Sequence, residues 1–208
     1  NLVELYLGNN TLLQTIDVRN CPALGTGEKQ KAVNLSGCTN IENVYFDNTS
    51  IQGCTLPNGG ILKVLHLPST ITNLTILNQK ALTEFVVPSY ANITTLRIEN
   101  VSDVVDAGAI LSQIKDGSRV RLLGLKMNFD TAAEVEAFYD RLDKMKGLDE
   151  NNNNMDKAQI SGTIYVPTLT SDELASLQSR YTHLTILYDA IVHKVTYVNH
   201  DGTKLYET

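Results

Sequence analysis

Tryptophan is absent from the 208 residues and phenylalanine occurs only four times, so large aromatic side chains cannot dominate the core. Cysteine is scarce as well. Cys21, Cys38 and Cys54 are too few for a disulfide framework and lack the paired spacing of a zinc site. Positive charge is in deficit: 17 Lys and Arg against 23 Asp and Glu give a formal net charge of -6, which argues against a nucleic-acid partner, because phosphate contacts need a basic surface. No apolar run approaches the roughly 18 residues of a membrane span, so no membrane insertion is expected in this segment. Metalloprotease His pairs, Gly-x-Ser-x-Gly elbows and complete phosphate loops are missing too. Gly25-Thr26-Gly27-Glu28-Lys29 lacks the spacing and the Lys-Ser/Thr ending of such a loop and reads as a flexible connection. The four histidines, His66, His183, His193 and His200, have no convergent spacing. No cofactor, metal or catalytic residue is expected, and the chain is read as not an enzyme.

What the sequence does contain is repetition. An apolar-x-x-apolar-x-apolar pattern recurs from Leu2/Leu5/Leu7 to Ile93/Leu96/Ile98, with Val33/Leu35 as an incomplete copy. Each apolar-x-apolar core reads as a short strand with two side chains on one face and the middle one on the other. Consecutive copies are too close for one turn of a leucine-rich solenoid, whose repeats run about 20 to 29 residues, so each turn is expected to hold two copies. Alternate copies then form two ladders. Leu5, Val33, Cys54, Leu74 and Leu96 follow steps of 28, 21, 20 and 22, and Ile16, Val44, Leu65 and Phe85 follow 28, 21 and 20. An insertion around Pro22 to Lys31, read as a surface loop, accounts for the shared long step.

After Ile98 the periodicity changes to that of amphipathic helices, expected over Asp103–Lys115, over Thr131–Lys146 capped by Asp130, and over Asp172–Tyr181 with Ser171 at its start. Strands at Val120/Leu122, Ile164/Val166 and Leu184/Ile186 extend the first ladder. The expected fold is an α/β solenoid over residues 1–189. One continuous parallel sheet forms one side, with strands and turns opposite it in the N-terminal half and helices in the C-terminal half. Residues 190–208 read as a separate β-hairpin around Asn199-His200-Asp201-Gly202. Because both ends present apolar repeats without a cap, the native polypeptide is expected to continue in both directions.

Leu65-His66-Leu67-Pro68-Ser69-Thr70-Ile71 and Phe85-Val86-Val87-Pro88-Ser89, with Cys54-Thr55-Leu56-Pro57 as a partial copy, resemble bacterial leucine-rich repeats of the surface-antigen type. That resemblance implies a place in a large gut-bacterial surface or secreted protein, or in a structural protein of a phage infecting such bacteria. The expected location is therefore extracellular, at a cell surface or on a virion. The final hairpin resembles the opening of small extracellular repeat modules that follow leucine-rich regions in surface proteins.

In this register the residues pointing inward are Leu5, Leu7, Val33, Leu35, Cys54, Leu56, Leu74, Ile76, Leu96, Ile98, Val120, Leu122, Ile164, Val166, Leu184 and Ile186. The middle residues form the candidate binding face: Tyr6, Asn34, Thr55, Thr75, Arg97, Arg121, Tyr165 and Thr185, with Arg119 beside them. Arg97, Arg119 and Arg121 next to Tyr165 form a basic and aromatic spot suited to a carboxylate, a phosphate or a sugar acid. The competing reading is that Glu99 and neighbouring carboxylates pair with these arginines. Two functions stand side by side: a recognition module binding protein or glycan on its sheet face, and a structural spacer whose contacts are with adjacent domains of the same polypeptide.

Overall fold

The computed structural model describes residues 2–189, 196–198 and 204–207. Eight short strands occupy the first half: β1 (Thr15–Asp17), β2 (Ala32–Asn34), β3 (Asn43–Tyr45), β4 (Gly53–Thr55), β5 (Val64–His66), β6 (Asn73–Leu77), β7 (Glu84–Val86) and β8 (Thr95–Glu99). The chain alternates between two sheets. The odd strands form a four-stranded sheet in the order β1-β3-β5-β7, and the even strands run β2-β4-β6-β8 in a larger one. All these pairings are parallel. Ile16, Val44, Leu65 and Phe85 are lateral neighbours in the first sheet, and Val33, Cys54, Leu74 and Leu96 in the second, in agreement with the two ladders. The apolar side chains of both sheets meet in one core, and Val33, Val44, Leu65 and Leu96 have no solvent exposure.

The second half is mixed α/β: α1 (Ala107–Gln113), β9 (Arg119–Asn128), α2 (Ala132–Leu142), β10 (Lys146–Leu148), β11 (Asn154–Met155), β12 (Gln159–Val166), α3 (Ser171–Arg180) and β13 (Leu184–Tyr188). The first helix begins later than the sequence pattern indicated. Asp106, not Asp103, is its N-cap and accepts from the Ala109 N–H, which leaves Val104 exposed. Thr131 caps α2 by accepting from the Glu134 N–H, and that helix stops at Leu142, so Lys146 already belongs to β10. Thr170 caps α3 in a complete capping box with Glu173. The buried faces of the three helices, including Ile110, Val135, Phe138 and Leu177, join the same core as the strands.

The larger sheet forks at β9. Arg119 and Val120 pair with Lys146 and Gly147 of β10, whereas residues from Arg121 onward pair with β12. Burial along β9 changes phase between Leu122 and Leu125, where Gly124 adopts φ +62. A Cβ there would come within 2.1 Å of the Asn100 Oδ1, so any larger residue at this bulge must displace that side chain as well as hold a left-handed backbone. The expected extension of the ladder from Val120 to Ile164 is therefore corrected: Ile164 lies beside Met127 on one side and Ile186 on the other. Those shifts leave Ile164 and Val166 fully buried, whereas Leu184 and Ile186, on the outermost strand, are only half-buried. A short hairpin, β10 with antiparallel β11, interrupts the otherwise parallel arrangement.

At the other end, residues 2–8 run beside β2 without forming a strand, and Leu5 and Leu7 are half-buried rather than buried. Gln30 takes the place of the missing pairing. Its side-chain amide accepts from the Leu5 N–H and donates to the Leu5 carbonyl. The insertion before it is not wholly on the surface: Leu24 is completely buried. Gly25, at φ +91, lies where a Cβ would be 2.6 Å from the Ile51 nitrogen. Beyond residue 189, β14 (Thr196–Val198) and β15 (Lys204–Glu207) pair antiparallel. The expected turn at Asn199 to Gly202 lies outside the described residues.

Candidate interaction face

The strand register sets Asn34, Thr55, Thr75, Arg97 and Arg121 in a lateral row on the outward face of the larger sheet. Asn34 and Thr55 are exposed, and Thr75 is half-buried. Arg119 is exposed on the same strand as Arg121, beside Thr95 and Lys146. Tyr6, 69% exposed, stands at the N-terminal end of the row in the segment beside β2. Pairing on successive strands thus brings six of the nine sequence-derived residues onto one face, with Tyr6 at its end.

Tyr165 and Thr185 do not continue that row. The β12 neighbour of Arg121 is Gln159, and Tyr165 lies opposite Asn128, seven residues further along β9 and so roughly 20 Å away. The bulge at Gly124 and the long excursion through α2 defeat a count of residues, because spacing along the chain does not record where a strand begins to pair. The Tyr165 hydroxyl donates to Asp189 at 2.8 Å, and Thr185 lies beside Thr163. The combined basic and aromatic spot is not assembled.

Arg97 and Arg121 are committed internally. One oxygen of Glu99 accepts from Arg97 Nε at 2.7 Å and from Arg121 Nε at 2.6 Å. Arg97 Nη1 also donates to the Glu150 carbonyl and to Asn152 Oδ1, and Arg121 Nη1 to the Leu148 carbonyl and Gln159 Oε1. The turn from Asp149 to Asn153 thus folds over this part of the sheet. Asp149 organises it by accepting the Asn151 and Asn153 N–H groups, and these bonds with the Asn153 side chain hold its carboxyl below the usual range. For Glu99, burial alone raises the carboxyl pKa, but the two guanidinium hydrogen bonds outweigh it and the net shift is downward. Such a cluster chemically resembles a satisfied ion-pair network more than an open anion site.

Two other polar arrangements escaped the reading of the sequence. Asn100 Nδ2 donates to Asn78 Oδ1 at 3.0 Å, and Asn78 Nδ2 to Asn58 Oδ1 at 2.8 Å, while Asn48 Nδ2 donates to Asn20 Oδ1 at 2.8 Å. Asn20, Asn48, Asn78 and Asn100 all have positive φ, between 51° and 59°, a conformation asparagine tolerates better than other non-glycine residues. The signal was present at a fixed offset. Four residues after Ile16 and Val44 stand Asn20 and Asn48, and four after Cys54, Leu74, Leu96 and Val120 stand Asn58, Asn78, Asn100 and Gly124, whereas Leu65 and Phe85 are followed by Ser69 and Ser89.

On the outward face of the four-stranded sheet, His66 lies between two carboxylates, with Nδ1 3.1 Å from Asp47 and Nε2 2.7 Å from Glu84. The Tyr45 ring meets His66 edge-on at 5.0 Å, and the Arg19 guanidinium sits 4.7 Å over Tyr45. The carboxylates occupy opposite sides of the imidazole, a geometry that converges on no common ligand. Among the described residues no group of three or more His, Cys, Asp or Glu is arranged to hold a metal ion. Cys38 and Cys54 are buried, Cys21 is half-buried, and all three are free thiols. Among the described residues no helix is long and apolar enough to cross a membrane. No known protein family, curated protein or solved structure matches the chain.

Proposed function

We propose that the chain is a non-catalytic recognition module of the leucine-rich-repeat type, part of a bacterial surface or secreted protein or of a phage virion, that binds protein or glycan on the outward face of its larger sheet. The observation that carries this reading is the in-register row from Asn34 through Thr55 to Thr75, which offers small polar side chains on adjacent strands roughly 4.8 Å apart. Two alternating parallel sheets around one core support a solenoid with two strands per turn, the architecture that gives such extended faces. The test is a screen against glycans and candidate host proteins. Thr55→Arg and Thr75→Arg, which project bulk from the row, should abolish capture while leaving the melting temperature within a few degrees. A stable fragment that captures nothing would refute the recognition role.

The internally closed arginine cluster favours a second reading for the other end of the face. Arg97, Glu99 and Arg121 hold β8, β9 and the Asp149–Asn153 turn together, as expected of a spacer that transmits load between neighbouring domains. A double alanine variant at Arg97 and Arg121 should then lose stability without a specific loss of binding.

A further inference from the structure

Sheet pairing in the larger sheet stops at β2, and the chain before it runs past without closing the ladder. The result is a slot of about 290 Å³ between the segment from Leu5 to Asn9 and the edge of β2. Tyr6, Asn9, Asn34 and Ser36 line it together with Gln30. Its chemistry is specific in what it combines. Every polar side chain lining it is uncharged, and the Glu4 carboxylate beside its mouth accepts from the Tyr6 hydroxyl.

The available groups are those that engage hydroxyls. Asn34 uses its Oδ1 on the Ser36 N–H at 2.9 Å; among the described residues no hydrogen bond engages its Nδ2, the Ser36 hydroxyl or the side-chain Nδ2 of Asn9. Gln30 is buried and spent on the Leu5 backbone, which fixes the wall of the slot rather than its specificity. The Tyr6 ring, 69% exposed, stands at the mouth, with its hydroxyl tied to Glu4 at 3.2 Å. An aromatic plane for C–H faces beside amide and hydroxyl groups for O–H edges matches a pyranose. The volume lies just below the roughly 300 to 1,000 Å³ of small-molecule sites, which restricts the slot to a ligand of about one sugar ring.

We infer that this slot is a subsite for one neutral sugar residue, the terminal unit of a glycan whose remaining units continue along the Thr55 and Thr75 side of the row. This rests on the recognition reading above and sharpens it to a ligand class and a place. Extended peptide along the β2 edge is the competing occupant, disfavoured because Gln30 already takes the Leu5 N–H and carbonyl that would pair with it on the facing wall.

The experiment is isothermal titration with neutral mono- and oligosaccharides of hexose and N-acetylhexosamine, with sialylated and sulfated oligosaccharides as an anionic arm and unstructured peptides as a third. Tyr6→Ala and Asn34→Ala should each weaken neutral-sugar binding by about tenfold or more, Tyr6→Phe should retain it, and circular dichroism of each variant controls for folding. Binding that Thr55→Arg and Thr75→Arg destroy but Tyr6→Ala and Asn34→Ala leave intact would overturn the subsite and keep the recognition face. Preference for the anionic arm or for peptide would overturn the neutral-sugar assignment. No binding by any arm overturns the subsite, and continued failure in the wider protein screen overturns the recognition reading with it.

Discussion

Arg121 donates from Nε to the same Glu99 oxygen that accepts from Arg97, so one carboxylate joins two adjacent strands through two guanidinium groups that are each nearly nine-tenths buried. Replacing it with a neutral amide leaves both cations poorly compensated. Glu99→Gln should cost about 1 to 3 kcal/mol at neutral pH. Because the folded pKa of Glu99 is lowered, its stabilisation is fully present above the ordinary glutamate value and is lost as the pH falls through the depressed one. The gap between wild-type and variant urea midpoints should therefore shrink on acidification below about pH 4. A gap independent of pH would show that the carboxylate charge is not what matters.

The core carries a sharper contrast between neighbouring residues. Leu74 and Leu96 lie side by side and almost without exposure, while Thr75 points outward from the same strand. Leu74→Ala and Leu96→Ala should each cost about 2 to 5 kcal/mol and Thr75→Ala under about 0.5. Thermal melts of the three proteins check this, and equal shifts would place the core elsewhere.

Asn78 combines a left-handed backbone with two side-chain hydrogen bonds, one on either side. Asn78→Ala removes the bonds and keeps the strain, at a cost of about 2 to 3 kcal/mol, whereas Asn78→Gly loses the bonds but relieves the strain and should be milder by about 1. The ordering of the two variants in chemical denaturation is the decisive measurement.

Thr170→Ala removes the acceptor for the Glu173 N–H and dismantles the capping box. A loss of about 1 kcal/mol is expected, with hydrogen exchange accelerating first in the opening turn of α3.

Burial pushes the Cys54 thiol up to about 12, so it is essentially never a thiolate at neutral pH. Alkylation of the native protein at pH 8 should modify the half-buried Cys21 first and reach Cys54 only after unfolding. Mass spectrometry of time points reads the order directly.

The two ladders were legible because each strand repeats one physical requirement: Val33, Cys54, Leu74 and Leu96 must all enter the same core, and their spacing follows the length of chain needed to return to it. Past Val120 that rule loses its hold. Gly147 of β10, not Ile164, takes the parallel place beside Val120 before β11 turns back antiparallel, and the Gly124 bulge changes the phase of β9, so counting residues does not locate Tyr165. The outward face of the larger sheet is legible only as a direction in which side chains point. Whether an arginine on it is free depends on tertiary closure, and nothing in the local pattern around Arg97 announces the turn at Asp149–Asn153. The asparagine ladders were missed for a different reason: their period is plain, but they sit at an offset where hydrophobic patterning is silent.

Alternation between the sheets also bears on how the chain reaches this state. Parallel sheets usually assemble slowly, because each pairing must close a long stretch of disordered chain before any contact rewards it. Here Cys54 finds Val33 after 21 residues, Leu74 after 20, and Leu96 after a further 22. Closure entropy grows only with the logarithm of loop length, so every new strand meets nearly the same modest barrier as the one before it, on a template already built. Sequential growth of the first half, strand by strand from whichever pair orders first, is the expected consequence.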